Sequence, residues 1–389
     1  MKRLYLFNPE NDMALASGSP YYMPPASAKK MAADLASLPG WYAQAGSDVL
    51  VAENRQVEWM QKECRFPLPM GWVDGGLSDY EAILAWGWSP ALLHALGEKG
   101  VVSGIPYTKE QVAFVRELSG RGTAVKLLSE LRVEGTLGES FWFTSLDEVM
   151  AFSSRFDKVL LKAPWSGSGK GIQPLSGKPD DNLCGWIRRI IASQGGVVGE
   201  PFYEKVVDFA MEFQVEAGRV SFVGYSLFEA DKRGIYKENW LASDVDIERC
   251  LTKYVSCAIL AEVRCRLMHE LAFKAGEGYQ GYLGVDMMIC RTTGGYALHP
   301  CVEINWRMNM GVVSRLFYDR YVSPCSHGRY VIDYYVHPQE AESFHKRMKR
   351  EYPLKIEGER IVEGYLSLTP VFEDTSYQIY VIIETPSRF

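Results

Sequence analysis

Short apolar runs alternate along this chain with longer stretches that carry an apolar residue every three or four positions, and their order sketches the elements. RLYLF, at 3–7, reads as a strand, and NPENDMALASG follows it, with Asn, Pro and Asp marking a turn ahead of a helix. SAKKMAADLASLPGW has helical spacing and stops at Pro-Gly. DVLVAE reads as a second buried strand, and YEAILAWGWSPALLHALGEKG as strand, turn and helix closed by glycine. Strands and helices alternating at this length predict a small parallel-sheet α/β domain ending near residue 108.

Beyond it, KEQVAFVREL and TAVKLLSELRVEG have helical spacing, and SFWFTSLDEVMAFSSRF gives a strand and then a helix with Ser145 as N-cap. KVLLKAP is a strand leading into a glycine-rich loop. The stretch 197–230 alternates and holds a Gly-Arg turn, which predicts antiparallel sheet. A long amphipathic helix is expected from Ser256 to Lys274. YLGVDMMI then ends at a TTGG turn that lets it pair antiparallel with ALHPCVEIN. From about residue 325 a helix (PQEAESFHKRMKREY) and two late strands (RIVEGYLSL, SYQIYVII) complete the chain, with no internal repeat or low-complexity linker.

With 389 residues, 47% hydrophobic and 23% charged, the chain is globular and large enough for two or three subdomains. A net charge of -6 gives no support for a nucleic-acid partner. The eight cysteines are scattered without a C-x-x-C pair, which disfavours a zinc or disulfide scaffold. The apolar start is too short for a signal segment, and no run approaches a membrane span. A cytoplasmic protein without a membrane or nucleic-acid partner is expected.

The chemistry concentrates in HPCVEINWRMNMG, 299–311. Strand alternation puts Cys301, Glu303, Asn305 and Arg307 on one face and Val302, Ile304, Trp306 and Met308 on the other. Asp286 interrupts the apolar run of the preceding strand, a costly place for a carboxylate unless it is paired or binds a cation. Pairing across the hairpin brings it toward Glu303 and Asn305, oxygen ligands of the kind that hold Mg²⁺ with water and phosphates. KAPWSGSGKG, 162–171, fails as a Walker A loop: Pro164 stands where the first glycine belongs, and Gly171 where a Ser or Thr must follow Lys170.

Together and in this order, these elements resemble the ATP-grasp superfamily over about residues 110–315. The resemblance implies an N-terminal α/β domain (1–108), a first lobe with the glycine-rich loop (109–199), a second lobe with the metal site (200–324) and a C-terminal α+β extension (325–389). It implies that Lys162, with Ser166, Gly167, Ser168, Gly169 and Lys170, contacts the phosphates of ATP. It places Asp286, Glu303 and Asn305 on Mg²⁺ (or Mn²⁺). It gives Arg307 the substrate carboxylate or the developing acyl phosphate, with Lys232 or Arg233 of EADKRGIYKENW beside it, though an ordinary charged turn explains that segment equally. Glu200, Pro201, Phe202, Tyr203 and Glu204 fall at the interlobe hinge that binds adenine and ribose, with Asp208 and Glu212 as further acids. Arg121 stands where the family carries a lysine, keeping the charge but not its geometry.

The activity implied is ATP-dependent joining of a small-molecule carboxylate to an amine or thiol. A small-molecule kinase and a nucleotide-binding protein without turnover fit the same elements, and a homodimer is left open. Asn8, Glu10, Asn11 and Asp12 follow the first strand, either lining a substrate site at a strand carboxyl end or forming a turn and helix cap. None of the six histidines has ligand spacing.

Overall fold

Leu4, Val49 and Ile83 are fully buried at the centre of a four-stranded parallel sheet ordered Gly71–Val73, Asp48–Leu50, Arg3–Leu6, Ala82–Ala85. The computed structural model describes residues 2–385 except 65, 67, 69, 102, 167–170 and 231–235. The strand Gly71–Val73 has no counterpart in the sequence reading, because three half-buried residues make no readable run.

The first lobe is an antiparallel sheet ordered Phe141–Phe143, Val197–Pro201, Lys158–Lys162, Ile172–Ser176. The helices Leu146–Ser153 and Asp181–Gln194 contribute to its core. Ser145 caps the first of these in a reciprocal box with Glu148, which satisfies backbone N–H groups that the first helical turn leaves free. Val149, Phe152, Val159, Leu161 and Ile187 form a core of this lobe's own.

The second lobe is one nine-stranded sheet. Its order is Gly295–Asn305, Gly281–Thr292, Lys205–Glu216, Arg219–Ala230, Tyr236–Leu241, His327–Tyr334, Tyr377–Glu384, Arg360–Ser367, Lys355–Glu357. The turn at Ala217 and Gly218 has both residues at positive φ (49° and 73°), the conformation a tight hairpin requires. The segment after 325, read from sequence as an extension, continues this sheet edge to edge. It also shares a core with the N-terminal domain, where Trp41, packed on Phe317 and Tyr321 of the helix Met310–Tyr321, donates its indole N–H to the Leu368 carbonyl at 2.6 Å. The fold is thus a parallel α/β domain followed by two antiparallel α+β lobes. Among the described residues no helix is long and apolar enough to cross a membrane.

Candidate active site

The helix Cys257–Ala275 buries Leu260, Val263, Leu267 and Leu271 in the same core as Leu283, Val285, Met287 and Ile289 of the strand Gly281–Thr292. Alternation therefore turns Asp286 to the opposite face of the sheet. The hairpin register sets Asp286 directly across from Glu303 and Gly284 across from Asn305. Burial, and then the facing Glu303, push the Asp286 carboxyl up to about 7, while the Asn305 amide donates to it at 3.2 Å.

Two guanidinium groups meet this acidic edge. Arg121, only 5% exposed, donates from Nη2 to both oxygens of Glu303 at 3.1 Å. Its Nη1 donates to the Ala163 carbonyl at 2.6 Å and to Ser166 Oγ at 2.7 Å, so one side chain ties the start of the glycine-rich loop to the second lobe. Arg307 does not continue the strand, which ends at Asn305. Its backbone N–H turns back to the Asn305 carbonyl at 2.8 Å, and its guanidinium grips both oxygens of Asp12, each at 2.6 Å.

Lys162 closes its strand with Nζ 2.5 Å from Glu200 Oε2, both side chains 5% exposed. Ser140 Oγ donates to the other Glu200 oxygen at 3.0 Å. Glu204 lies at the surface and pairs with Arg291 at 2.9 Å. Pro201 is buried, whereas Phe202 is exposed beneath the Lys158 ammonium, 3.7 Å from the ring centre. The Tyr203 hydroxyl accepts from the Glu139 N–H at 2.9 Å. Trp165 anchors the loop's first residues, donating its indole N–H to the Arg116 carbonyl at 2.8 Å beneath that residue's guanidinium. Gly167, Ser168, Gly169, Lys170, Lys232 and Arg233 lie outside the described residues.

Two residues had no site role in the sequence reading. His299 is fully buried with neither ring nitrogen partnered, its ring edge-on to Tyr203, and burial pushes its imidazole down to about 4. Asn309 caps the helix Met310–Tyr321 and donates to Glu212 at 2.9 Å. Glu212, which sequence reading grouped with the ribose acids, sits across from Gly284 on the Asp286 face, and burial pushes its carboxyl up to about 8. A Cβ at Gly284 or Gly311 would collide with that carboxylate, so the two glycines make its berth. Only the alternating pattern carried any signal for Glu212. His299 and Asn309 had none, since both depend on contacts between distant segments.

Two lobes that meet at a carboxylate hairpin and a lysine-bearing strand, behind a parallel α/β domain, define the ATP-grasp fold. The chain is similar over 99% of its length to N5-carboxyaminoimidazole synthetase from Staphylococcus aureus complexed with ADP (TM-score 0.51, 11% identity, 93% of that chain). Over 98% it is similar to a biotin carboxylase–β,γ-ATP complex from Campylobacter jejuni (TM-score 0.53, 11% identity, 87% of that chain). Over 99% it is similar to Rhizobium etli pyruvate carboxylase with acetyl coenzyme A, of which it spans 35% (TM-score 0.55, 13% identity). At these identities the likeness is one of fold. No family model and no curated protein matches the sequence.

Proposed function

We propose that this protein is an ATP-dependent ligase that activates a small-molecule carboxylate and joins it to an amine or thiol. The observation that carries the reading is the register that sets Asp286 across from Glu303, with Asn305 one strand pair away. Two carboxylates and an amide oxygen, with Asp286 raised by burial and then by the facing Glu303, are donors of the kind that a hard cation such as Mg²⁺ or Mn²⁺ takes. Such an ion supplies charge neutralisation to the nucleotide phosphates.

In this reading a substrate carboxylate oxygen bonds to the γ-phosphorus of ATP and the bond to the bridging oxygen breaks, releasing ADP. The amine then adds to the acyl carbon, phosphate leaves, and an amide forms. Lys162 and the loop from Ser166 to Lys170 hold phosphate, and the segment Glu200 to Glu204 holds the nucleoside. Arg307, with Lys232 or Arg233, steadies the carboxylate and the acyl phosphate. Arg121 holds the loop and Glu303 together.

The test is an ADP-release screen with purified protein, Mg²⁺ and ATP against pairs of amines and carboxylic acids. ADP and free phosphate should appear only when both partners are present. Phosphate retained on a product would make the protein a kinase. Tight ATP binding without release would make it a nucleotide-binding protein.

A further inference from the structure

Arg307 has five N–H donors, and four are committed within the protein. Nε and Nη2 each give one to Asp12 at 2.6 Å; Nη2 gives another to Asn305 Oδ1 at 3.0 Å, and Nη1 gives one to the Met308 carbonyl at 3.0 Å. Asp12 belongs to the segment after the first strand, which Asn8 pins by bonding both ways with the Gly87 backbone. The pair is partly open to solvent, with side chains 16% and 30% exposed. It lines a cavity of only about 20 Å³ together with Glu303, Asn305 and Trp306. The Trp306 indole N–H is buried without an acceptor.

A bridge that only fastened two domains would need no place beside Glu303 and Asn305. This one sits in the cavity that those two residues line and holds a single opposite pair in direct contact. A plain anion could take the Arg307 edge that faces Asp12 only by turning Asp12 out without a counter-ion, near two other acids. A plain cation on Asp12 would strand the more buried guanidinium. Either leaves an uncompensated charge in a half-dry site. A zwitterion leaves none, because one ion pair becomes two. Since the two groups start in contact, the ligand that needs the smallest opening carries its charges on adjacent carbons.

We propose that Asp12 and Arg307 receive an α-amino acid as the acyl donor, its ammonium on Asp12 and its carboxylate on Arg307, an assignment that rests on the ligase reading for its chemistry. The amino acid's carboxylate oxygen forms the bond to the γ-phosphorus, and ADP departs with the bridging oxygen's electron pair. No proton moves in this step. The ammonium stays protonated on Asp12.

The experiment uses the full chain with Mg²⁺ and ATP and with hydroxylamine as a general acceptor, and reads hydroxamate and ADP for each α-amino acid against its deamino acid. At least one amino acid should exceed its deamino analogue by about 10- to 100-fold in kcat/KM, the worth of a charge-assisted contact. Asp12→Asn should erase that preference, and Asp12→Glu should restore part of it. Equal rates for the deamino acid, or a preference that survives in Asp12→Asn, would overturn the assignment. If no acid supports ADP release, the ligase reading fails, and calorimetric titration of the full chain with each amino acid and its deamino analogue decides the site alone. Selective amino-acid binding lost in Asp12→Asn upholds it, and no such binding overturns it.

Discussion

Arg121, on the helix Arg121–Glu130, stands 182 residues before Glu303 in the chain, and its guanidinium spans both carboxylate oxygens at 3.1 Å. Glu303 is therefore already paired with a cation that also holds the loop start at Ala163 and Ser166. Glu303→Gln keeps one acceptor for Arg121 and removes the charge. It should abolish Mg²⁺-dependent ADP formation while the circular dichroism spectrum stays native. Retained turnover would remove Glu303 from the metal assignment.

Lys162 should matter more for nucleotide binding than Lys170. Lys162→Ala also strands Glu200, which is 5% exposed, at a cost of about 3–5 kcal/mol. ATP affinity is best compared with Lys162→Ala/Glu200→Gln, which removes the stranded charge. Measured by calorimetry, the loss of ATP affinity from Glu200→Gln to that double variant should exceed the loss caused by Lys170→Ala, and the reverse order would identify the wrong lysine.

Glu212 gives the chain a pH signature. Its carboxyl is raised in the folded state to about 8, so the folded chain holds a proton that the unfolded chain gives up. The associated stability is complete below the unfolded value near 4.5 and is lost as pH rises through about 8. Unfolding free energies from urea titration should fall between about pH 5 and 8, by roughly 1.4 kcal/mol per pH unit at the steepest, and level off above that. Glu212→Gln should flatten that slope, and an unchanged slope would place the titration elsewhere.

Trp41 binds the N-terminal domain to the late strands. Trp41→Ala should cost about 3–5 kcal/mol. Hydrogen exchange should rise in Arg360–Ser367 and Tyr377–Glu384 but not in the sheet Phe141–Phe143 to Ile172–Ser176, which has its own core. Uniform deprotection would mean the lobes are not separately held.

The hairpin that joins Asp286 to Glu303 was legible because a carboxylate inside an apolar run and an alternating acid-apolar-amide strand are local patterns. Arg307 shows where such a pattern ends. Alternation extends through it on paper, yet a single backbone bond to Asn305 stops the strand and sends the side chain to Asp12. The partners of Arg121, Lys162 and Arg307 were out of reach, being 182, 38 and 295 residues away in sequence. The same holds for the late strands, whose place in the sheet depends on neighbours more than forty residues distant.

That sheet order changes what the chain's last sixty-odd residues are for. Cutting after 324 would remove four of nine strands and the carbonyl that receives the Trp41 indole. The N-terminal domain would keep Phe317 and Tyr321 against Trp41 but lose Leu366, Leu368, Ile379, Val381 and Ile383 from the core it shares. The late strands thus brace the domain that carries Asp12 against the lobe that carries Arg307, an alignment exerted far from either residue.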